Sequence, residues 1–577
     1  MMKKQFRNYL AFKQFLIVIL LLISGIAHAE RVIQVSVCSG DATRIIQQAI
    51  DSAAHYDGKS VTIKLAATDY HISREKATSH LYYISNTTSV EENPDPTKHI
   101  GLWLRDMRNV TIDGCGARLV THGEMTTFVI DGCENITLRN FTVMAADPSV
   151  PEMVVVESRN QTLVARPTEG SRYEIADDGR FYWVGEGWRF SEGIAQIYYP
   201  DRDVTYRCNT PLSGLWFVRE RDGLLHFRYH GMAPAAKPGD VYQMRHSFRT
   251  EVCGFIHHSK NVTIDNCTFN FLGNFGIVGQ YSENLTYRRL RCAPPYGSER
   301  TCAGFADFVQ MSGCKGKISI TDSYFEGAHD DPINIHGTHL KVVEYPADRQ
   351  VKVRFMHGQS YGFDAFFPGD DIEFVDAHTL LCCQSARVKS VERIDNYTLL
   401  LTLNKPIAEA VKTLENVSIE NVTWTPDVEI THNYFSRTPT RGILVTTRGK
   451  VLIADNTFFR IPMSAILVSD DARSWYESGP VRDVTIARNH FYECESPVIA
   501  VAPENDRYEG AVHRNVTIEH NRFVLTRDEA VRAHSTDNFT VRGNHFVSPS
   551  DSLPTEQSLV KTENCNNTIV AGNTVTR

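Results

Sequence analysis

Short alternations of apolar and polar residues recur along most of this chain, each time with the same polar residues at the same offsets. Asn515-Val-Thr-Ile-Glu-His-Asn521-Arg-Phe523 returns as Lys450-Val-Leu-Ile-Ala-Asp-Asn456-Thr-Phe458 and as Asp483-Val-Thr-Ile-Ala-Arg-Asn489-His-Phe491. It returns again as Asn538-Phe-Thr-Val-Arg-Gly-Asn544-His-Phe546 and as Asp427-Val-Glu-Ile-Thr-His-Asn433-Tyr-Phe435. Further copies begin at Asn109, Asn135, Asn261, Asn284, Lys317 and Asn567. Each reads as a short strand with period-two apolar residues, a turn, one polar residue and an aromatic. Uninterrupted copies start 23, 26, 29 or 32–33 residues apart.

A period near 23 with several very short strands predicts an all-β, right-handed parallel β-helix. One coil cannot bury its own apolar face, so coils stack about 4.8 Å apart and share a core. The polar slot then aligns, and Asn433, Asn456, Asn489, Asn521, Asn544 and Asn573 are expected to form an internal amide ladder. Cys115, Cys267 and Ser323 fall in the same slot earlier, as small packing residues. A second strand follows fifteen residues after Val262, Ile318, Val428, Val451 and Val516, at Ile277, Ile333, Ile443, Ile466 and Val531. Residues 41–54 carry Ile45, Ile46, Ala49, Ile50 and Ala53 in one stripe at helical spacing, which predicts a helix capping the open end.

Two stretches, 150–247 and 339–426, lack the repeat and read as small β-barrels inserted between coils. The division is therefore a leader over 1–29, coils with the cap helix over 30–149, the first insertion over 150–247, central coils over 248–338, the second insertion over 339–426, and C-terminal coils over 427–577. Trp183, Trp188 and Trp216 could stack on a sugar face, and barrel core is the favoured reading.

The leader is a secretory signal peptide in its pattern. Lys3, Lys4, Arg7 and Lys13 precede the apolar run Phe15–Ile23, and Ala27-His28-Ala29 is a cleavage site of the A-x-A kind. No later apolar run is long enough to span a bilayer. Loss of those four basic residues would take the formal charge from −8 to −12. So acidic a chain is a poor ligand for nucleic acid or a polyanion and suits a neutral substrate. The spacing of its 13 cysteines matches no zinc motif, and no cofactor is expected.

Hydrolysis of a glycosidic bond calls for a pair of carboxyl groups. The central coils contain Phe305-Ala-Asp307-Phe-Val309 and His329-Asp330-Asp331-Pro-Ile333-Asn334-Ile335-His336-Gly337. Aligned on the second strand, Val309, Ile333 and Ile443 share a column, so Asp307, Asp331 and Arg441 stack on successive coils with Asp330 beside them. Carboxylates so close raise one another's pKa. Asp residues also serve as ordinary turn formers on solenoid rims, and only the column separates the two readings. Asn334, His336, Glu326 and Arg441 are the candidate substrate-binding groups. Gly369-Asp370-Asp371 has no charged column around it and reads as a turn.

The order Asp307, Asp330-Asp331, His336-Gly337 looks like that of β-helical polygalacturonases, which share a pectin-lyase-like solenoid. More closely, the whole chain after the leader resembles the α-1,3-galactosidases of glycoside hydrolase family 110, most specifically over Gly327-Ala-His-Asp-Asp-Pro-Ile-Asn-Ile-His-Gly337. The resemblance implies a cofactor-free exo-hydrolase that removes terminal α-1,3-linked galactose from oligosaccharides or glycoconjugates with inversion. It implies Asp330 as general acid, with Asp307 and Asp331 holding and deprotonating water. The leader pattern points to export to the periplasm or exterior of a Gram-negative cell, and oligomerisation and the choice between fucose-branched and linear substrates stay open. The rival readings are a pectinase-type hydrolase or lyase, which needs basic groups or a calcium cage, and a non-catalytic carbohydrate-binding solenoid.

Overall fold

The computed structural model describes residues 31–577 apart from positions 57, 88 and 92. The leader therefore lies outside the described residues. The chain folds as a parallel β-helix, with the repeated motif pairing in register from coil to coil. Ile136, Val262, Leu285, Ile318, Val428, Val451, Val484, Val516 and Phe539 form one inward column. The second-strand column runs Gly254, Ile277, Val309, Ile333, Ile443, Ile466, Ile499 and Val531. The helix Thr43–Ala54 covers the N-terminal end, with Ile46, Ala49, Ile50 and Ala53 buried.

The internal ladder is continuous. Asn489 Nδ2 donates to Ile453 O at 2.9 Å and to Asn521 Oδ1 at 3.0 Å, and its own Oδ1 accepts from Asn456 N at 3.0 Å. The same pattern links Asn433 to Asn456, Asn521 to Asn544 and Asn544 to Asn573. Ser323 N donates to Asn433 Oδ1 at 2.9 Å, extending the ladder one coil back. The chain can turn an amide inward here because the preceding residue is left-handed: His432, Asp455, Arg488 and His520 have φ of 59°, 58°, 55° and 55°. Beside the ladder, Phe435, Phe458, Phe491 and Phe523 stack with centroids 4.7–5.0 Å apart.

Two sequence expectations change. Cys115 is exposed, with φ 50°, because the strand bulges between Asp113 and Ala117. The bulge brings the fully buried Ala117 opposite Phe141, where Cys115 was expected. Trp183 and Trp188 are core, whereas Trp216 lies on an edge strand of its sheet and is 63% exposed.

The motif's first asparagine forms an outer ladder that the repeat alone did not suggest. Asn135, Asn261 and Asn284 each donate an amide to the preceding asparagine at 2.8–3.1 Å, and all are left-handed. That conformation is why asparagine recurs there.

The first insertion is an antiparallel sheet in the order Val204–Cys208, Ile194–Tyr199, Val241–Arg245, Glu152–Arg159, Thr162–Pro167, Leu224–Tyr229, Leu215–Arg221. A three-stranded sheet from Tyr173 to Phe190 packs into the same core. The second insertion is a closed six-stranded barrel. Its first strand, Ile333–Ala347, is continuous with the solenoid: Ile333 to His336 belong to the second-strand column, and Leu340 already lies in the barrel core. Arg448 locks the barrel down, bonding Glu420 at 3.0 Å through Nε and Glu373 at 2.5 Å through Nη2.

Replacing Asn489 with Ala should leave Asn456 N and Ile453 O unpaired in the core and cost roughly 2–4 kcal/mol. The outer-ladder variant Asn261→Gly, which keeps the left-handed backbone, should cost less than about 1 kcal/mol, since water replaces the lost partner. Thermal unfolding followed by circular dichroism checks this; equal losses at the two sites would remove the internal ladder as the dominant polar contact.

Candidate active site

The site is built on three neighbouring coils, and strand periodicity explains its floor. Val309, Met311, Ile333 and Ile335 point into the core. The alternate residues must therefore face outward. Asp307 and Asp331 precede the strands, then Gln310 lies opposite Asn334 and Ser312 opposite His336. One coil later, Arg441 binds Asp331 with its main chain and side chain together. Arg441 N reaches Oδ1 at 3.1 Å, Nε reaches Oδ2 at 3.0 Å and Nη2 reaches Oδ2 at 2.7 Å. The column expected from the sequence is therefore real, and Arg441 is the carboxylate's partner. Burial works against that guanidinium's charge, but Asp331 outweighs it and raises the arginine's pKa.

The backbone beneath Asp307 is tightly packed. A Cβ on Gly276 would lie 2.2 Å from the Asp307 carbonyl oxygen, so only glycine fits one coil away. Burial, then the charges of Asp330 and Asp331, push the Asp307 carboxyl well above the usual carboxylate range. Asp330 differs. Burial alone would raise it, but the charges of Arg207, Arg249, Arg245 and Arg441 win and hold it below that range. Arg207 Nη2 lies 2.8 Å from Asp330 Oδ1, and Arg249 Nη2 lies 3.3 Å from Oδ2. Burial and like charge thus favour the neutral form of Asp307, while the arginines favour the charged form of Asp330. Asp330 has the more open side chain of the adjacent pair, 15% exposed against 3% for Asp331.

Both insertions wall the floor. Arg207 comes from an edge strand of the first insertion, and Arg249 follows that insertion's last strand. Arg245, fully buried over the Phe305 ring, hydrogen-bonds His329 Nδ1 at 3.3 Å, and burial brings its pKa down to about 9. On the other side, the second barrel contributes Phe355, His357, Ser360 and Phe363. The loop after the strand Ile466–Val468 contributes Trp475 and Glu477. Burial and the charge of Arg249 push the His357 imidazole down, so the two walls are close enough to feel each other. Ser360 Oγ donates to Asn86 Oδ1 at 3.0 Å and accepts from Asn86 N at 3.1 Å, joining the barrel to the N-terminal coils at one end of the pocket.

Of the substrate-binding candidates, Asn334 and His336 lie on the floor. His336 Nε2 is 3.1 Å from Gln310 Nε2 and 3.5 Å from Glu477 Oε1, and Asn334 Nδ2 is 3.5 Å from the same Glu477 oxygen. Gln310 Oε1, Ser312 Oγ and Asn334 Oδ1 are buried and lack a protein partner. Such groups suit a ligand rich in hydroxyls. Glu326 is not part of the floor. Tyr324 donates to its Oε2 at 2.6 Å, and Arg437 bonds its Oε1 at 3.1 Å while also reaching Asp203 of the first insertion at 2.6 Å. It anchors the edge strand that carries Arg207. Asp370 folds back on Phe367 N at 2.8 Å and on Asn421, as a turn residue does.

Sequence reasoning passed over Gln310, although it was recoverable: it occupies the column of Asn334 one coil earlier. Arg207, Arg249, His357, Trp475 and Glu477 gave no such signal, because they lie in insertions or in a coil loop outside the repeat. Among the described residues, no three His, Cys, Asp or Glu side chains converge as metal ligands.

Two family models match the chain: the GLAA-B beta-barrel domain II over residues 350–415 and the right handed beta helix region over 409–546. Alpha-1,3-galactosidase A of Bacteroides thetaiotaomicron is 46% identical over 95% of this chain and 96% of its own length. Alpha-1,3-galactosidase B of Phocaeicola vulgatus is 31% identical over 88% of this chain and 89% of its own. A family 28 exopolygalacturonase of Yersinia enterocolitica superposes over 94% of this chain and 79% of its own, with a TM-score of 0.41 at 10% identity. On the near full-length identity to the first two, the chain belongs to the α-1,3-galactosidases of glycoside hydrolase family 110.

Proposed function

We propose that this protein is an exported exo-α-1,3-galactosidase that releases terminal galactose from glycans with inversion. The observation that carries the reading is the cluster of three buried carboxyl groups, Asp331 gripped by Arg441 and Asp330 facing Arg207 and Arg249, beside a floor of unpartnered polar atoms. Family membership supplies the substrate class. Exo-action is supported by the hydrogen-bonded junction of Asn86 with Ser360, which obstructs a polymer running past the site. The leader pattern supports export.

Inversion needs one protonated carboxyl on the leaving-group side and one ionised carboxyl behind the anomeric carbon, about 6.5–9.5 Å away. Asp330, the more open of the adjacent pair, faces the arginines of the first insertion and is the acid. A sugar that draws Arg207 or Arg249 away removes the charge that keeps Asp330 ionised. Asp307 then gives its proton up to solvent and Asp330 takes one up. Asp330 delivers it to the glycosidic oxygen as the bond to C1 breaks through an oxocarbenium-like state. Asp307, now a carboxylate beside Asp331, takes a proton from the attacking water. The products are β-galactose and the shortened glycan, and Asp307 is again protonated. Arg441 keeps Asp331 in place throughout.

Incubation in EDTA with terminal α-1,3-galactosyl oligosaccharides, with and without a branching fucose, should release galactose; failure on both would reject the reading. Proton NMR should record β-galactose before mutarotation, and early α-galactose would mean retention. Asp307→Asn, Asp330→Asn and Asp331→Asn should each lower kcat by roughly 10²–10⁴-fold with the fold intact. Asp330→Asn alone should recover in part on an aryl α-galactoside with an acidic phenol, because a good leaving group needs little protonation.

Arg207→Ala should move the alkaline limb of the kcat/KM profile to higher pH. The protonated cluster is the active form and is lost as pH rises; removing a cation strengthens the hold of Asp330 on its proton, so the loss comes later. An unmoved or lowered limb would contradict the clamp.

A further inference from the structure

The loop between Asp470 and Gly479 is held more rigidly than its position on the surface requires. Asp471 accepts hydrogen bonds from the main-chain N–H groups of Arg473, Ser474, Trp475 and Tyr476. Asp470, buried, takes Gly479 N at 3.1 Å and lies 3.3 Å from His339 Nε2. His339 begins the passage into the second barrel, where it pairs with Glu420. The loop is thus tied at both ends, and Trp475, Tyr476 and Glu477 line the pocket, with Glu477 against Asn334 and His336 of the floor.

The Trp475 ring stacks on His357 of the second barrel, with centroids 4.3 Å apart and planes 29° from parallel. It is nevertheless 44% exposed, so the ring face turned from His357 is open. The four main-chain hydrogen bonds fix the loop and the imidazole backs the ring, so the indole is held in place before anything binds. The pocket it borders has His336 and Ser312 on the floor and the Asn86–Ser360 junction at its end.

We infer that Trp475 is a specificity residue: its open face stacks on the apolar face of the terminal galactose and holds the sugar over the carboxyl cluster. Galactose suits such a shelf because its axial 4-hydroxyl leaves the hydrogens of C3, C4 and C5 together on the opposite face. The polar floor then meets hydroxyls while the indole meets carbon, the division of labour common in ligand pockets. The inference rests on the galactosidase reading and adds the residue that selects the sugar. His357 acts through Trp475, as a positioning residue.

The test uses wild type, Trp475→Ala and Trp475→Phe with three probes: galactosyl-α-1,3-galactose, 4-nitrophenyl α-galactoside, and free galactose as a product inhibitor. Trp475→Ala should lower kcat/KM on both substrates by roughly ten- to thirty-fold and weaken inhibition by galactose to the same extent. Trp475→Phe should stay within about three-fold of wild type, since an aromatic face remains. Unchanged inhibition with a loss only on the disaccharide would put the ring against the leaving sugar and overturn the assignment, as would no effect at all. A wild-type protein that releases no galactose would instead sink the functional reading, and the shelf with it. Saturation-transfer NMR of galactose on the wild type needs no variant: the C3, C4 and C5 protons should receive the strongest transfer, and an even distribution would contradict the stack.

Discussion

The structure depends on the register between coils. In a parallel β-helix a one-residue slip turns every inward side chain outward. Here the buried asparagine ladder resists such a slip more strongly than apolar packing can. Each amide must find a carbonyl one coil back and another amide one coil on, and a slipped coil would strand those groups in a dry core. The left-handed residue before each asparagine makes the inward turn possible, and the phenylalanine stack beside it keeps the spacing even.

The same register sets the chemistry. Asp307, Asp331 and Arg441 meet only because Val309, Ile333 and Ile443 are paired one above another. Coil spacing alone brings two carboxyls together and places a guanidinium on the second. What separates the roles of the carboxyls is their unequal company. Asp307 is enclosed with like charge, Asp331 is gripped by Arg441, and Asp330 faces arginines that a ligand can displace.

The insertions convert an open solenoid face into a pocket. The first delivers Arg207 and is anchored through Arg437 between Asp203 and Glu326. The second grows directly out of the strand that carries Asn334 and His336, so its orientation is tied to the floor itself. A groove that would admit a polymer becomes a chamber suited to a chain end.

The repeat and its offsets by themselves determined the β-helix, the inward asparagines, the cap helix and the column of Asp307, Asp331 and Arg441. Each follows from a period that stacking must respect, so counting residues is enough. Counting failed at Cys115, where a bulge shifts the slot to Ala117, and at Trp216, whose strand proved to be an edge. It could not reach Arg207, Arg249, His357 or Trp475, which stand 80 or more residues from the aspartates or in loops of irregular length. Their places depend on how the insertions dock, through ion pairs and packed faces that have no period. Nor could composition tell which aspartate is pushed towards its neutral form, because that depends on the distances to charges that only the folded chain brings near.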